Sequence, residues 1–440
     1  MTNPSLSSML FRTSSQLKCI PNRTLFGGRI ANPSGVSASR AFAAEAHSKQ
    51  DDKPARTSLY DLHVQNSGKM VDFAGYLLPV QYGNVSITES HLHTRSQCSI
   101  FDVSHMLQTE ITGPDAFDLL ESVCVTDVQG LGLHKSALSV FTNSEGGIED
   151  DFVVTKSGEQ SLYVVSNAAR KRVVADLLLT AADKFKSSGK TAQVTFRDPE
   201  ERALLAVQGP RAAQILQPLV DMDLSSFYFM SSAAVALKDA PDSRITRCGY
   251  TGEDGFEVAI DARKAPDFVQ GLLQKHPDLV KLAGLGARDS LRIEAGLCLY
   301  GNEIDSTTTP PEAGLTWTIG KKRRERADFP GASKILEQIK EGGAYKQRVG
   351  LVQEGKGLCP RNGAEILTLD IAPHYYPVGK VTSGCPSPTL KTNIAMGTLP
   401  RSLAKPGNVV FIANKNNLTK LTVTKMPFVP AKYFTKPKKK

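Results

Sequence analysis

The 440-residue sequence predicts an α+β chain that closes with a small all-β barrel or sandwich. Three observations carry this. Two stretches, 137–155 and 243–260, read as strand, glycine-containing turn, strand. Three stretches, 168–186, 263–275 and 284–295, carry apolar residues at helical spacing. After about residue 345 the helical pattern stops, and short apolar runs alternate with Gly, Pro and Asn, as in small all-β domains.

In chain order, the first 44 residues hold Arg12, Lys18, Arg23, Arg29 and Arg40, many Ser and Thr, and no acid before Glu45. An Arg- and Ser-rich, acid-poor start reads as an organellar transit peptide, so residues 1–50 are set aside from fold reasoning. A plain disordered tail is the alternative. Residues 51–57 are polar and read as a linker, and globular patterning begins at Leu59. The run Ala137-Leu-Ser-Val-Phe-Thr142, the Gly146-Gly147 turn and Phe152-Val-Val-Thr155 form the first hairpin, and Leu162-Tyr-Val-Val165 a further strand. A turn at Gln208-Gly-Pro210 leads into a helix start at 211–216. A helical stretch at 332–340 is followed by a boundary near Lys340–Lys346, and the runs at 349–352, 364–367, 378–381 and 409–412 make up the last domain. No repeat of fixed period is present.

With 40% apolar and 22% charged residues the chain has the composition of an ordinary globular protein, and no apolar run approaches the roughly 18 residues of a membrane span. The net charge of +9 sits at the ends: residues 1–50 carry +5 and the last nine residues another +5, which leaves −1 between them. A nucleic-acid surface needs basic residues concentrated on a folded face, so a nucleic-acid partner is not expected. Seven cysteines lie without a C-x-x-C spacing, which argues against a zinc ribbon or a disulfide framework; most read as small buried hydrophobes. His91 and His93 form no metal-ligand pattern, and no metal is expected.

Candidate chemistry is sparse. Glu149, Asp150 and Asp151 follow the Gly-Gly turn directly before an apolar strand. The bland reading is an exposed turn. Strand alternation puts Asp151, Val153 and Thr155 on one face and Phe152 and Val154 on the other, and a carboxylate at the start of a buried strand needs a partner if dehydrated. Glu257, between Phe256 and Val258, reads as a wet-face acid first and a binding group second. Arg288 and Arg292 lie four apart on one predicted helix face, suited either to gripping a carboxylate or to pairing with Asp289 and Glu294. Trp317, the only tryptophan, reads as core or as a stacking platform. The cluster Lys321-Lys-Arg-Arg324 reads as a solvated run that could dock an acidic partner.

Taken together as text, seven stretches resemble one family, the aminomethyltransferase or T-protein of the glycine cleavage system. They are Met70-Val-Asp-Phe-Ala-Gly-Tyr76, Phe101-Asp-Val-Ser-His-Met106, Gly146-Gly-Ile-Glu-Asp-Asp151, Arg247-Cys-Gly-Tyr-Thr-Gly-Glu-Asp-Gly-Phe-Glu257, Ala287-Arg-Asp-Ser-Leu-Arg-Ile-Glu-Ala-Gly-Leu297, Val381-Thr-Ser-Gly-Cys-Pro-Ser-Pro388 and Met426-Pro-Phe-Val-Pro430. They run in order across about residues 58–434. The resemblance implies a three-domain, cloverleaf-like α+β fold around a central folate channel: a folate-binding module of two interleaved domains over 58–340 and a C-terminal β-barrel over 345–435. It implies transfer of a methylene from the aminomethyl group on lipoylated H-protein to tetrahydrofolate, with release of ammonia, in the mitochondrial matrix. It makes Asp151 the catalytic aspartate, expected to orient the folate and stabilise developing positive charge. Glu257 matches the second pterin-binding acid and Arg288 the arginine of the substrate site. Met106, Leu138, Tyr163, Val165, Asn167 and Trp317 fall on channel-lining positions, and Arg348 and Tyr433 on C-terminal ones. Some members carry Tyr at the position of Leu138, so its contact here is apolar.

Three rivals differ in features of the text. Folate-binding relatives that support iron–sulfur assembly carry Lys-Gly-Cys-Tyr-x-Gly-Gln-Glu where this chain has Arg247-Cys-Gly-Tyr-Thr-Gly-Glu-Asp254. Folate domains acting on dimethylglycine or sarcosine oxidation products usually follow a flavin domain, and no G-x-G-x-x-G fingerprint occurs here. A basic mitochondrial binding module is weakened by the near-neutral middle of the chain.

Overall fold

The computed structural model describes residues 53–237, 240–369, 375–414 and 417–437. The transit-like segment 1–50 and the terminal lysines 438–440 lie outside the described residues. Part of the expected linker is structured: Ala55–Arg56 pairs in parallel with Tyr76 and Leu77, beside the antiparallel pair Gly68–Phe73 and Tyr76–Tyr82.

Alternating apolar runs become two larger sheets. The five-stranded one runs in the order Ser136–Thr142, Ile148–Gly158, Ser161–Ser166, Leu107–Thr112, Gln193–Arg197, every pairing antiparallel. One face is covered by the helix Lys171–Ser187, whose Val174, Ala175, Leu178 and Ala181 recur at helical spacing and pack on Phe152, Val154 and Val164. The second sheet has six strands, ordered Ser232–Leu237, Ala240–Thr246, Gly255–Asp261, Arg202–Gln208, Cys98–Asp102, Val280–Leu282. Its core takes in the helices Ala212–Leu216 and Ala265–Lys275.

Between the two sheets lies a separate apolar seam. Tyr163 and Val165 of the first sheet meet Phe101, Leu204, Ala206 and Ala259 of the second, with Met106 at its edge and Ala287 and Leu291 of the helix Leu285–Glu294 closing it. The third body is a closed barrel of six strands, Lys346–Gln353, Thr392–Pro400, Tyr375–Ser387, Glu365–Leu369, Val409–Asn414 and Asn417–Thr424. Closure removes exposed strand edges. Ile293 at the end of the Leu285–Glu294 helix packs on Cys385, Ile394 and Met396 of the barrel. Glu294, held by His91 and Arg95 on one side, accepts bonds from Ser387 and Thr389 on the other. After the barrel the chain turns back, and the Val429 and Lys432 amides donate to Glu294 and Gly252.

Candidate active site

Glycine chemistry sets the approach to Asp151. Gly146 adopts φ +77°, a region that side chains resist. A Cβ on Gly147 would lie 1.8 Å from the Ser306 carbonyl oxygen, so the turn closes only with glycine there. Beyond it the strand Ile148–Gly158 pairs Phe152 with Ser166, the last residue of the neighbouring strand, which brings the following Asn167 to Asp151. The Asn167 side-chain nitrogen donates to Asp150 Oδ1 and to Asp151 Oδ1, each at 2.8 Å, and its backbone N–H donates to Asp150 Oδ2 at 3.0 Å. The third acid, Glu149, pairs with Arg170 at 2.7 Å. The exposed-turn reading of this acid run is therefore overturned. Asp150 is fully buried and Asp151 is partly buried. Burial raises the Asp151 carboxyl to about 6 against the bond from Asn167. Burial, and then the charge of Asp151, hold Asp150 well above the ordinary carboxylate range.

Glu257 is half-buried rather than on an open wet face. Its strand is interior to the six-stranded sheet, with Ala206 and Thr246 as register partners. Burial raises its carboxyl, while the Arg288 charge and the Cys248 thiol draw it back. Arg288 lies 4.7 Å from the centre of the Tyr250 ring, and its Nη1 is buried with no hydrogen-bond partner in the protein. Arg292, one turn on, follows the pairing alternative: it bonds Asp289 and Glu303, and Ser383 of the barrel. The two arginines share a helix but not a task.

The remaining candidates gather on the seam or beside it. Tyr163 and Val165 are buried in it, with Met106 against them. The Tyr163 hydroxyl donates to Gln108 Oε1 at 2.8 Å, and Arg244 covers its ring. Leu138 pairs across the sheet with Val153, on the Asp151 face of its strand. Arg348 reaches out of the barrel to the carbonyls of Ala313 and Gly296, both at 2.8 Å. It faces the buried Cys298, whose thiol also feels Asp151. Tyr433, on the returning tail, stacks on Phe229 with ring centres 4.1 Å apart and faces Cys248, which bonds Glu257.

Two expectations change. Trp317 is not core: it is 64% exposed on the turn Thr316–Thr318, which packs against the strand Ser136–Thr142. The basic run 321–324 is only half solvated. Arg323 is buried, bonding the carbonyls of Glu121, Cys124 and Thr126, and Arg324 bonds those of Thr316 and Ile319. Only Lys321 and Lys322 remain exposed for a partner.

Sequence reasoning missed Asp150 and Tyr250. Alternation held the clue to the first, since Asp150 is in phase with the core-facing Phe152 and Val154. Tyr250 carried no local signal; its hydroxyl donates to the Cys298 carbonyl, and its ring lies under Arg288. His105, beside Met106, is buried. Burial, with Arg288 and Lys171 nearby, lowers it to about 3 against the pull of Asp102, which favours the neutral imidazole. Among the described residues no group of three or more His, Cys, Asp and Glu is placed to hold a metal ion. The arrangement offers a flat ligand with hydrogen-bond donors two partly buried carboxylates, Asp151 and Glu257, beside an apolar seam.

Residues 59–323 match the family described as the GCVT N-terminal domain, and residues 346–430 the glycine cleavage T-protein C-terminal barrel domain. The chain is 48% identical over 380 residues to the mitochondrial aminomethyltransferase of Homo sapiens, covering 86% of this chain and 91% of the relative. It is 45% identical over 395 residues to that of Solanum tuberosum, covering 90% and 93%. Among solved structures it is similar to the glycine cleavage system aminomethyltransferase T of Bartonella henselae. The TM-score is 0.78 at 36% identity, over 87% of this chain and 100% of the other.

Proposed function

The chain belongs to the glycine cleavage T-protein family, and on that premise we propose that the cluster around Asp151 binds tetrahydrofolate and receives the aminomethyl-loaded lipoyl arm of H-protein. It is an aminomethyltransferase of the glycine cleavage system and, like its relatives, mitochondrial; we place it in the matrix. The reaction breaks the carbon–sulfur bond to the arm and the carbon–nitrogen bond to the departing ammonia. Two carbon–nitrogen bonds to the folate replace them, and the two protons leaving folate nitrogens end on sulfur and on ammonia.

The observation that supports this reading best is that two partly buried carboxylates with raised values, Asp151 and Glu257, lie beside one apolar seam lined by Met106, Tyr163 and Val165. Glu257 accepts hydrogen bonds from the polar edge of the pterin. Arg288, with its unpartnered Nη1, takes a ligand oxygen. Asp151, oriented by Asn167, opposes the positive charge that develops on the methylene as sulfur leaves. Holding both reactants in register contributes further, since placement alone can be worth roughly 7–11 kcal/mol. Leu138, Arg348, Tyr433 and the exposed ring of Trp317 complete the ligand site. We divide the chain into the folate-binding module 58–340 and the barrel 345–435, with 1–50 removed as a transit peptide.

The test uses the purified chain, aminomethylated H-protein and tetrahydrofolate, following ammonia. Release that depends on tetrahydrofolate is expected; release indifferent to folate would refute the assignment.

A further inference from the structure

Asp150 has been given no task in the transfer, yet it is fully buried beside Asp151. We propose that Asp150 is a positioning residue for Asp151: it grips Asn167 by side chain and backbone, so that the Asn167 amide is aimed at Asp151, and the two aspartates share a single proton and carry one negative charge between them. This rests on the assignment of Asp151 as the carboxylate that serves the transfer.

The geometry supplies the argument. One amide nitrogen donates to an oxygen of each carboxylate at 2.8 Å, and the Asn167 backbone N–H holds the second oxygen of Asp150. Asp150 therefore holds Asn167 at its side-chain amide and at its backbone N–H, which sets the direction of the amide's bond to Asp151. Two carboxylates on one amide in a buried setting repel each other strongly if both ionise. The Asn167 bonds and the Arg170 charge relieve that only in part, since burial and the charge of Asp151 still hold Asp150 well above the ordinary carboxylate range. Arg170, whose charge reaches Asp150, is itself bonded to Glu149. Tyr300 faces Asp150 from the segment after the Leu285–Glu294 helix. Tyr250 and Cys298 face Asp151 and are neutral groups. Arg288, Arg292 and Glu303 lie behind Tyr250, and Arg348 behind Cys298. Retaining one proton on the pair is the remaining way to lower the repulsion. A pair of charge −1 then matches the single positive charge that develops on the methylene.

Infrared spectroscopy and kinetics together test this on the full-length protein. At pH 7 the wild type should show a protonated-carboxyl C=O stretch that disappears in both Asp150→Asn and Asp151→Asn, because either lone aspartate then ionises. If the band survives in Asp151→Asn, burial alone protonates Asp150 and sharing is overturned. In Asp150→Asn, kcat should fall at least ~10-fold with KM for tetrahydrofolate within ~3-fold of wild type. An unchanged kcat would overturn the positioning role. Should Asp150→Asn not fold, the infrared comparison of wild type with Asp151→Asn still decides on the shared proton. Folate-independent ammonia release by the wild type would instead mark failure of the functional assignment itself.

Discussion

Replacing Asp151 with Asn should make the protein a much poorer enzyme and a more stable one above neutral pH. The side chain keeps its shape, and its oxygen can still accept from the Asn167 amide, so the fold has no reason to change. What is lost is a buried negative charge beside the reacting carbon. Removing one such preorganised electrostatic group typically costs about 2.7–4 kcal/mol of transition-state stabilisation, or ~10²–10³ in kcat. Stability moves the other way. The folded-state value of Asp151 is raised from 3.8 to about 6, so the folded protein holds this proton more tightly than the unfolded chain does. The contribution to stability is full below the unfolded value and is lost as pH rises through about 6. The substitution removes that loss at position 151, at most about 3 kcal/mol at pH 8, less whatever the lone Asp150 loses as it ionises in turn. Urea unfolding of both proteins at pH 4 and pH 8, beside tetrahydrofolate-dependent ammonia release, measures both effects. Equal stability is expected at pH 4 and a more stable variant at pH 8. A variant less stable than wild type at pH 8 would refute the view that ionised Asp151 is dehydrated at the expense of the fold.

Two further outcomes follow from buried charges outside the site. Arg292→Met leaves Glu303 buried without its cation and cuts the bond to Ser383 in the barrel; it should destabilise the protein by about 3–5 kcal/mol in urea unfolding, and a loss under 1 kcal/mol would contradict that. Burial pushes the Asp102 carboxyl up, but the bond and charge of His63, with bonds from Ser104 and Thr57, hold it at about 2. Its contribution is therefore present above the unfolded value and is lost as pH falls through about 2. Thr57→Val removes the 2.6 Å hydroxyl bond and should move acid unfolding, followed by circular dichroism, to higher pH. An unchanged acid midpoint would show that His63 and Ser104 suffice.

Much of the local architecture was legible in the chain. The alternation at 137–165 is the two hairpin strands and their neighbour, and the helical spacing at 168–186 is the helix that covers them. The strands Thr392–Pro400 and Asn417–Thr424 were not read, because Asn, Gly, Lys and Thr dilute their apolar pattern and the closed barrel supplies their order through partners on both sides. The functional residues were legible only through family resemblance. Local pattern placed Asp151, Glu257 and the 321–324 run on wet surfaces. It could do no more, because each is decided by residues far along the chain.

By itself the sequence determined the kind of elements, the phase of the strand that carries Asp151, and membership of a family through seven motifs in order. Phase is a local property: alternate side chains of a strand must face opposite ways. Only the tertiary structure decided which of those faces is dry. Asp151 is partly buried where Asn167, just past the end of the neighbouring strand, bonds it and where Tyr250 and Cys298, about 100 and 150 residues further on, face it. Trp317 is exposed and Arg323 buried for the same reason run in opposite directions: one finds no surface to cover it, and the other finds three carbonyls waiting.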